Sequence, residues 1–278
     1  MSPPFEYHDI FTVPPLDQMI RKFWLLDNSA NPQPVLNQHV LPNGCFNIAC
    51  VKGQGALIKT RTGELAMSPG YYLCAQATQS VDVLIRPFTQ ILMIQLYPWS
   101  LSALTNQSLT NATDTLLPID TILPQLASLL DRDQNQINQS NQWPKAMIAV
   151  VESGWFSLVA TAANPSLRQA CQLLMQLKGD TGIDELARAM NCSTRFLEKL
   201  FKHYLGISPK RFSTILRVRA VVDVIKLKQT NHSLAQLAAE HGFYDEAHFS
   251  HTLKTLIHHS PGKFNPTLYL LPLTSSGY

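Results

Sequence analysis

The residues best equipped for chemistry here are histidines and cysteines. His241, His248, His251, His258 and His259 crowd together near the C-terminus. His248 and His251 share a helical spacing that brings two imidazoles to one face. No cysteine or third ligand follows at a recognised metal spacing, so no metal site is expected. His241 stands at an apolar position of a helical pattern and reads as a hydrogen-bonded, half-buried residue. Cys45 and Cys50 are candidates for a thiol sensor, but in a strand-rich region they read as buried, inert thiols. With Cys74, Cys171 and Cys192 the chain has five cysteines and no Cys-x-x-Cys pair. That argues against a disulfide framework and for a reducing, cytoplasmic setting. A catalytic metal barrel needs several histidines and a carboxylate, and residues 1–165 offer only His8 and His39. Neither a catalytic residue nor a cofactor is expected. Trp24, Phe46, Tyr71, Tyr72 and Trp99 remain, as the wall of a ligand pocket or simply as core.

The elements that must position these residues fall into two groups. From Val35 to Leu96, short β-prone runs alternate with turn residues. The turns are Pro42-Asn43-Gly44, Gly53-Gln54-Gly55, Thr62-Gly63, Ser68-Pro69-Gly70 and Arg86-Pro87. That spacing predicts a β-sandwich or barrel. Leu16, Met19, Ile20 and Phe23 recur with helical periodicity, which predicts a short helix over Leu16 to Leu26. Trp99 to Leu104, Ile119 to Leu130 and Pro144 to Ala163 also read as helices, and the polar run 131–141 as a loop. Asn164-Pro165 marks the expected boundary between two domains, 1–163 and 164–278.

Charge divides at the same place. Residues 1–165 carry 8 Lys/Arg against 11 Asp/Glu, and residues 166–278 carry 14 against 8, so −3 and +6 sum to the overall +3. Only the second part is expected to meet a polyanion. No run approaches the ~20 apolar residues of a membrane span, and Met1-Ser2-Pro3-Pro4-Phe5-Glu6 has neither the basic start nor the apolar core of a secretion signal.

The second part repeats itself. Ile183 to Asn191 and Leu234 to Gly242 both place apolar residues at helical spacing, with His241 the one exception. Both have alanine at the same middle position, Ala187 and Ala238, and both end in a residue that accepts positive φ. A small side chain for close helix packing and a left-handed residue for a tight turn are what a helix-turn-helix requires. After each turn a second helix is expected, Ser193 to Leu205 and Asp245 to Ile257, capped by Ser193 and Asp245. The predicted buried stripes are Phe196, Leu197, Leu200, Phe201 and Tyr204 in the first and Phe249, Leu253, Leu256 and Ile257 in the second. The copies close with Ser208-Pro209-Lys210-Arg211-Phe212 and Ser260-Pro261-Gly262-Lys263-Phe264, and a long helix from Pro209 to Leu227 joins them.

Over residues 166–270 the sequence resembles the DNA-binding domain of AraC/XylS-family transcription regulators. The likeness rests on Ser193-Thr194-Arg195-Phe196-Leu197-Glu198-Lys199-Leu200-Phe201-Lys202 with Gly206-Ile207-Ser208-Pro209. It rests equally on Gly242-Phe243-Tyr244-Asp245-Glu246-Ala247-His248-Phe249-Ser250 with Ser260-Pro261. Residues 16–105 more loosely resemble the cupin-like domain found on some of these regulators, through Ile20-Arg21-Lys22-Phe23-Trp24 and Leu41-Pro42-Asn43-Gly44-Cys45. The resemblance implies an α+β chain: a β-rich cupin-like barrel with flanking helices, then an all-α domain of two helix-turn-helix units on a long helix. It implies base contacts from Thr194, Arg195, Glu198 and Lys199 in the first unit and Glu246, Ala247, Ser250 and His251 in the second. Ser193, Lys202, Lys210, Arg211 and Lys254 would meet phosphates. The second unit departs from the family pattern, with Leu253 for the usual Phe, Asn265 for a basic residue, His258 where the first copy has Gly206, and no arginine on its reading face. The first unit is therefore expected to carry more of the specificity.

The function expected is that of a cytoplasmic transcription factor, activator or repressor, that binds double-stranded promoter DNA and works with RNA polymerase. A small-molecule effector would bind the N-terminal domain. A homodimer would form through residues 144–163, with Met147, Ile148, Val151, Trp155 and Leu158 at helical spacing. The alternative is a cupin-like small-molecule-binding protein or enzyme whose helical domain is an interaction module.

Overall fold

Turn residues cut the first hundred residues into strands, and these close into two antiparallel sheets. The structure is a computed structural model and describes residues 5–61, 63–132, 142–159, 162–227 and 233–257. Its strands are β1 (Glu6–Phe11), β2 (Ile20–Asn28), β3 (Val35–Val40), β4 (Phe46–Lys52), β5 (Ala56–Thr60), β6 (Gly63–Met67), β7 (Gly70–Cys74), β8 (Val81–Ile85), β9 (Thr89–Leu96) and β10 (Leu116–Pro118). One sheet runs β1-β2-β9-β4-β7-β10 and the other β3-β8-β5-β6.

The larger sheet is buried on both faces, and its side chains alternate between two cores. Trp24, Leu26, Ala49, Val51, Ile91 and Met93 point into the space between the sheets, where they meet Ala56, Met67, Val83 and Ile85. Their neighbours Phe23, Leu25, Ile48, Cys50, Leu92 and Ile94 join a second apolar cluster that runs without a break into the helical half. This double burial corrects the helix expected at Leu16–Leu26. Leu16–Gln18 makes one 3-10 turn, and the rest is β2, paired with β1 and β9. A strand buried on both sides has no polar positions to reveal its period of two, so the helical spacing of its apolar residues was coincidental. The edge strand β1 is tied to β2 by Lys22, 1% exposed, whose Nζ lies 2.5 Å from Asp9. Burial pushes the Lys22 ammonium down to about 8 even so.

Helices α1 (Leu101–Leu104), α2 (Ile119–Ile122), α3 (Pro124–Arg132) and α4 (Trp143–Leu158) follow the strands. Pro124 splits the helix expected over Ile119–Leu130 into two. The stripe assigned to a dimer contact faces inward. Met147, Ile148, Val151, Trp155 and Leu158 are all buried within the chain's own core, because α4 lies close on α3, and a Cβ on Gly154 would collide with the Leu129 side chain. The exposed face of α4 instead carries Lys145, Ala149, Glu152 and Phe156.

The helical half begins at α5 (Pro165–Gln176), where the Asn164 side chain caps the Leu167 N–H at 3.0 Å. Then come α6 (Ile183–Ala189), α7 (Thr194–Leu205), α8 (Pro209–Leu227), α9 (Leu234–Glu240) and α10 (Glu246–Ile257). Phe212, in the first turn of α8, is fully buried. It packs edge-on against Phe201 of α7 at 5.7 Å. On its other side is Gly44 of the barrel, at φ +75°, where a Cβ would stand 2.7 Å from the ring. Only glycine gives both that backbone and that approach. Phe212→Ala is expected to cost about 3–5 kcal/mol, read as a lower urea midpoint.

Burial also fixes the thiols. Cys45, Cys50 and Cys171 are buried, and desolvation pushes Cys50 and Cys74 up to about 12. Iodoacetamide at pH 8 is expected to leave Cys50 unmodified in the folded chain and to label it once urea unfolds the protein. Labelling of Cys50 in the native state would contradict this packing.

Candidate nucleic-acid interface and barrel cavity

The two repeats fold into two helix-turn-helix units, α6–α7 and α9–α10, joined by α8. Each turn uses the left-handed residue that the pattern requires, Asn191 at φ +50° and Gly242 at φ +69°. At Gly242 the need is steric as well, since a Cβ would overlap the Asp180 carboxylate. Each helix of the two units is capped at its start. The Glu185 carboxylate reaches back to the Gly182 N–H at 3.1 Å, and this bond holds its pKa below the usual range. Ser193 accepts from the Phe196 N–H at 3.1 Å. Ser233 and Gln236 form a reciprocal pair at 3.2 and 2.8 Å. Asp245 accepts from the His248 N–H at 2.6 Å, so this carboxylate serves the helix end.

The caps set which faces turn outward. On α7, Leu197, Leu200, Phe201 and Leu205 are buried, while Arg195, Glu198, Lys199 and Lys202 are exposed and Thr194 is half-buried. Phe196, expected in the core, is 42% exposed. It lies in the first turn, beyond the edge of the apolar stripe. On α10, Phe249, Leu253, Leu256 and Ile257 are buried; Glu246, Ala247, His251 and Lys254 are exposed and Ser250 is half-buried. Lys210 is exposed in the first turn of α8. Two of the basic residues assigned to phosphates have partners within the chain: Lys202 Nζ donates to the Gly206 carbonyl at 2.9 Å, and Arg211 Nη2 donates to the Thr78 carbonyl. His241 is half-buried at the end of α9, and desolvation lowers its pKa. The motif Ser260-Pro261-Gly262-Lys263-Phe264, together with His258, His259 and Asn265, lies outside the described residues.

Sequence reasoning missed the residues of α8 that hold the units together. Arg217 donates to the Gly242 carbonyl at 2.7 Å and lies 5.0 Å from the centre of the Phe243 ring, and Ser213 donates to the Gly179 carbonyl at 2.6 Å. It also missed Tyr244, 92% exposed beside the start of α10. An aromatic inside a helix-turn-helix repeat is ordinarily core, so nothing but its exposure distinguishes it.

Between the two sheets lies a cavity of about 130 Å³. Its walls are mostly apolar, with Trp24, Leu26, Met67, Val83, Ile91 and Met93 among them, and its polar side chains include Asn47, Gln76, Gln95 and Arg219. Of the five aromatics proposed for a pocket, Trp24 lines this cavity. Phe46 and Trp99 belong to the core behind the larger sheet, Tyr71 packs against that core, and Tyr72 packs against the core between the sheets. The side of the sheet each residue faces separates them. Gln76 donates to the Gly44 carbonyl at 2.8 Å, while its buried Oε1 has no hydrogen-bond partner among the described residues. Arg219 comes from α8, so the helical half contributes to the cavity wall. Its Nε lies 2.9 Å from Asp223. Among the described residues no group of three or more His, Cys, Asp or Glu is placed to hold a metal, and no helix is long and apolar enough to cross a membrane.

Residues 186–266 match the family model of a helix-turn-helix domain, and residues 10–118 match that of a domain of unknown function, DUF6597. An uncharacterised HTH-type transcriptional regulator of Haemophilus influenzae is 31% identical over 98 residues, which make up 35% of this chain and 32% of that protein. The HTH-type transcriptional regulator GbdR of Pseudomonas aeruginosa is 38% identical over 87 residues, 31% of this chain and 23% of GbdR. The chain thus covers about a third or less of the length of these relatives. ToxT of Vibrio cholerae aligns over 96% of this chain and 99% of its own, at 11% identity and a TM-score of 0.45. Residues 186–266 are thus a helix-turn-helix domain of the AraC type.

Proposed function

We propose that this chain is a sequence-specific DNA-binding transcription regulator, controlled by a small-molecule effector in the barrel cavity. The observation that carries this reading is the pair of capped helix-turn-helix units. Their second helices turn Arg195, Glu198 and Lys199, and Glu246, Ala247 and His251, away from the core. In the major groove, Arg195 or Lys199 donates to guanine O6 and N7, and Glu198 accepts from cytosine N4. Thr194 and Ser250 complete the two base-reading sets. Lys202, Lys210 and Lys254 neutralise phosphates, as does Arg211 once it leaves Thr78, while Ser193 positions the helix start that points at the backbone.

In this reading residues 1–163 are the sensor and dimerisation domain and residues 164–278 the DNA-binding domain. The homodimer forms through the exposed side of α4 within residues 144–163, since the other side is occupied by the chain's own core. The protein acts in the cytoplasm and engages RNA polymerase at a promoter. An effector acts only through its differential affinity for the states that bind DNA strongly and weakly.

The test is selection of random duplex DNA by the full-length protein at two salt concentrations. Two enriched blocks about one helical turn apart are expected, with affinity falling as salt rises. Arg195→Ala should weaken binding to the selected site by about 1–3 kcal/mol and relax the preference at one position of the first block. Lys199→Ala should likewise weaken it. Absence of enrichment at either salt, or variants that retain full affinity and preference, would overturn the assignment.

A further inference from the structure

One loop of the barrel, residues 76–80 between β7 and β8, reaches both the connecting helix α8 and the second helix-turn-helix unit. Two residues apart, Thr78 accepts a hydrogen bond from Arg211, just past the first unit, and the Ser80 N–H donates to the Leu256 carbonyl at 2.6 Å, in the last turn of α10. The loop is itself anchored in the barrel. The Thr78 N–H and hydroxyl both donate to the Asp114 carboxylate, at 2.6 and 2.5 Å. The Asp114 N–H returns a bond to the Gln76 carbonyl at 3.0 Å. The neighbouring Thr113 hydroxyl donates to the Gly206 carbonyl at 2.9 Å, at the end of α7.

The second reading helix is therefore held at both ends. Arg217 of α8 grips the Gly242 turn that precedes its start, and Ser80 of the barrel grips its finish. A helix of this length spans about 18 Å. With Phe249, Leu253, Leu256 and Ile257 packed in the core and both ends tied, its direction relative to α7 is set. Direction matters because paired reading heads must enter successive major-groove turns about 34 Å apart, and each base pair added between half-sites rotates one head by about 35° relative to the other.

We propose that the loop Gln76–Ser80 is a spacing clamp: the barrel, through Thr78 and Ser80, fixes the half-site separation that the two reading helices accept. The proposal rests on the DNA-binding reading above and adds that the barrel sets part of the operator specificity. Gln76, Ala77 and Asp114 also line the barrel cavity, so the occupant of the cavity touches the clamp at its root.

The test uses full-length protein and a library in which the two selected half-sites are separated by every spacing within a few base pairs of the preferred one. Two variants loosen the clamp from opposite ends. Ser80→Pro removes the N–H that reaches Leu256. Asp114→Gly removes both carboxylate bonds to Thr78, and glycine readily adopts the φ of +59° found there. Wild type is expected to favour one spacing by about tenfold over those one base pair away, and the variants by less than about threefold. Binding to the first half-site alone should stay within about twofold of wild type, and circular dichroism identifies any variant that fails to fold, leaving the other to decide. A folded variant that keeps the wild-type spacing preference overturns the clamp and leaves the DNA-binding reading standing. Wild type that binds no duplex DNA overturns both.

Discussion

The ring of Phe212 rests on the bare backbone of Gly44 and against the ring of Phe201, and the placement of the helical half on the barrel depends on that contact. It lies at the start of the connecting helix, which carries both helix-turn-helix units, and so joins that helix to the barrel turn Pro42-Asn43-Gly44. Polar contacts surround it. The Leu109 N–H meets the His203 carbonyl at 2.8 Å, and Arg168 reaches Gln18 at 2.7 Å while lying 5.8 Å from the Trp99 ring. The apolar cluster behind the larger sheet continues from Phe23 and Ile48 to Leu197 and Phe212. Burial on that scale is the dominant stabilising term in folding. It joins the two halves through one continuous apolar cluster, with hydrogen bonds along its edge.

Much of the helical half was legible in the sequence because its signals are local. Caps, left-handed turn residues and periods near 3.6 all act within a few residues of one another, and they located α6 to α10 and the outward faces of α7 and α10. The barrel was less legible. Its strands carry apolar residues on both faces, so β2 imitated a helix, and β1, β6 and β10 gave no signal that a short run could carry. The cavity was harder still. Trp24 and Phe46 are both aromatic and both buried, yet one faces the cavity and the other the helices. That choice depends on the parity of each strand's register, which composition does not encode. Arg217 and Arg219 sit two residues apart on one helix and serve opposite partners, the second reading unit and the barrel. Both assignments depend on contacts far away in the chain.

The basic residues of the first unit fall into two kinds. Arg195, Lys199 and Lys210 are exposed to solvent, whereas Arg211 is half-buried and bound to the barrel, and its desolvation lowers its pKa. A guanidinium bound to a carbonyl must exchange that bond for any contact with a phosphate, and the exchange is linked to whatever holds the barrel in place. In the proposed DNA-binding function, the barrel would therefore act on affinity through charge as well as through orientation.

The burial of the larger sheet on both faces also has a consequence for how the chain comes into being. β9 ends at Leu96, and Phe212 follows more than a hundred residues later, about ten seconds of ribosomal elongation. For that interval a sheet face bearing Phe23, Leu25, Ile48, Leu92 and Ile94 waits for the last part of its covering. A nascent barrel with one oily side outward is a natural client for chaperones, and truncation ahead of the helical half would leave that side permanently sticky.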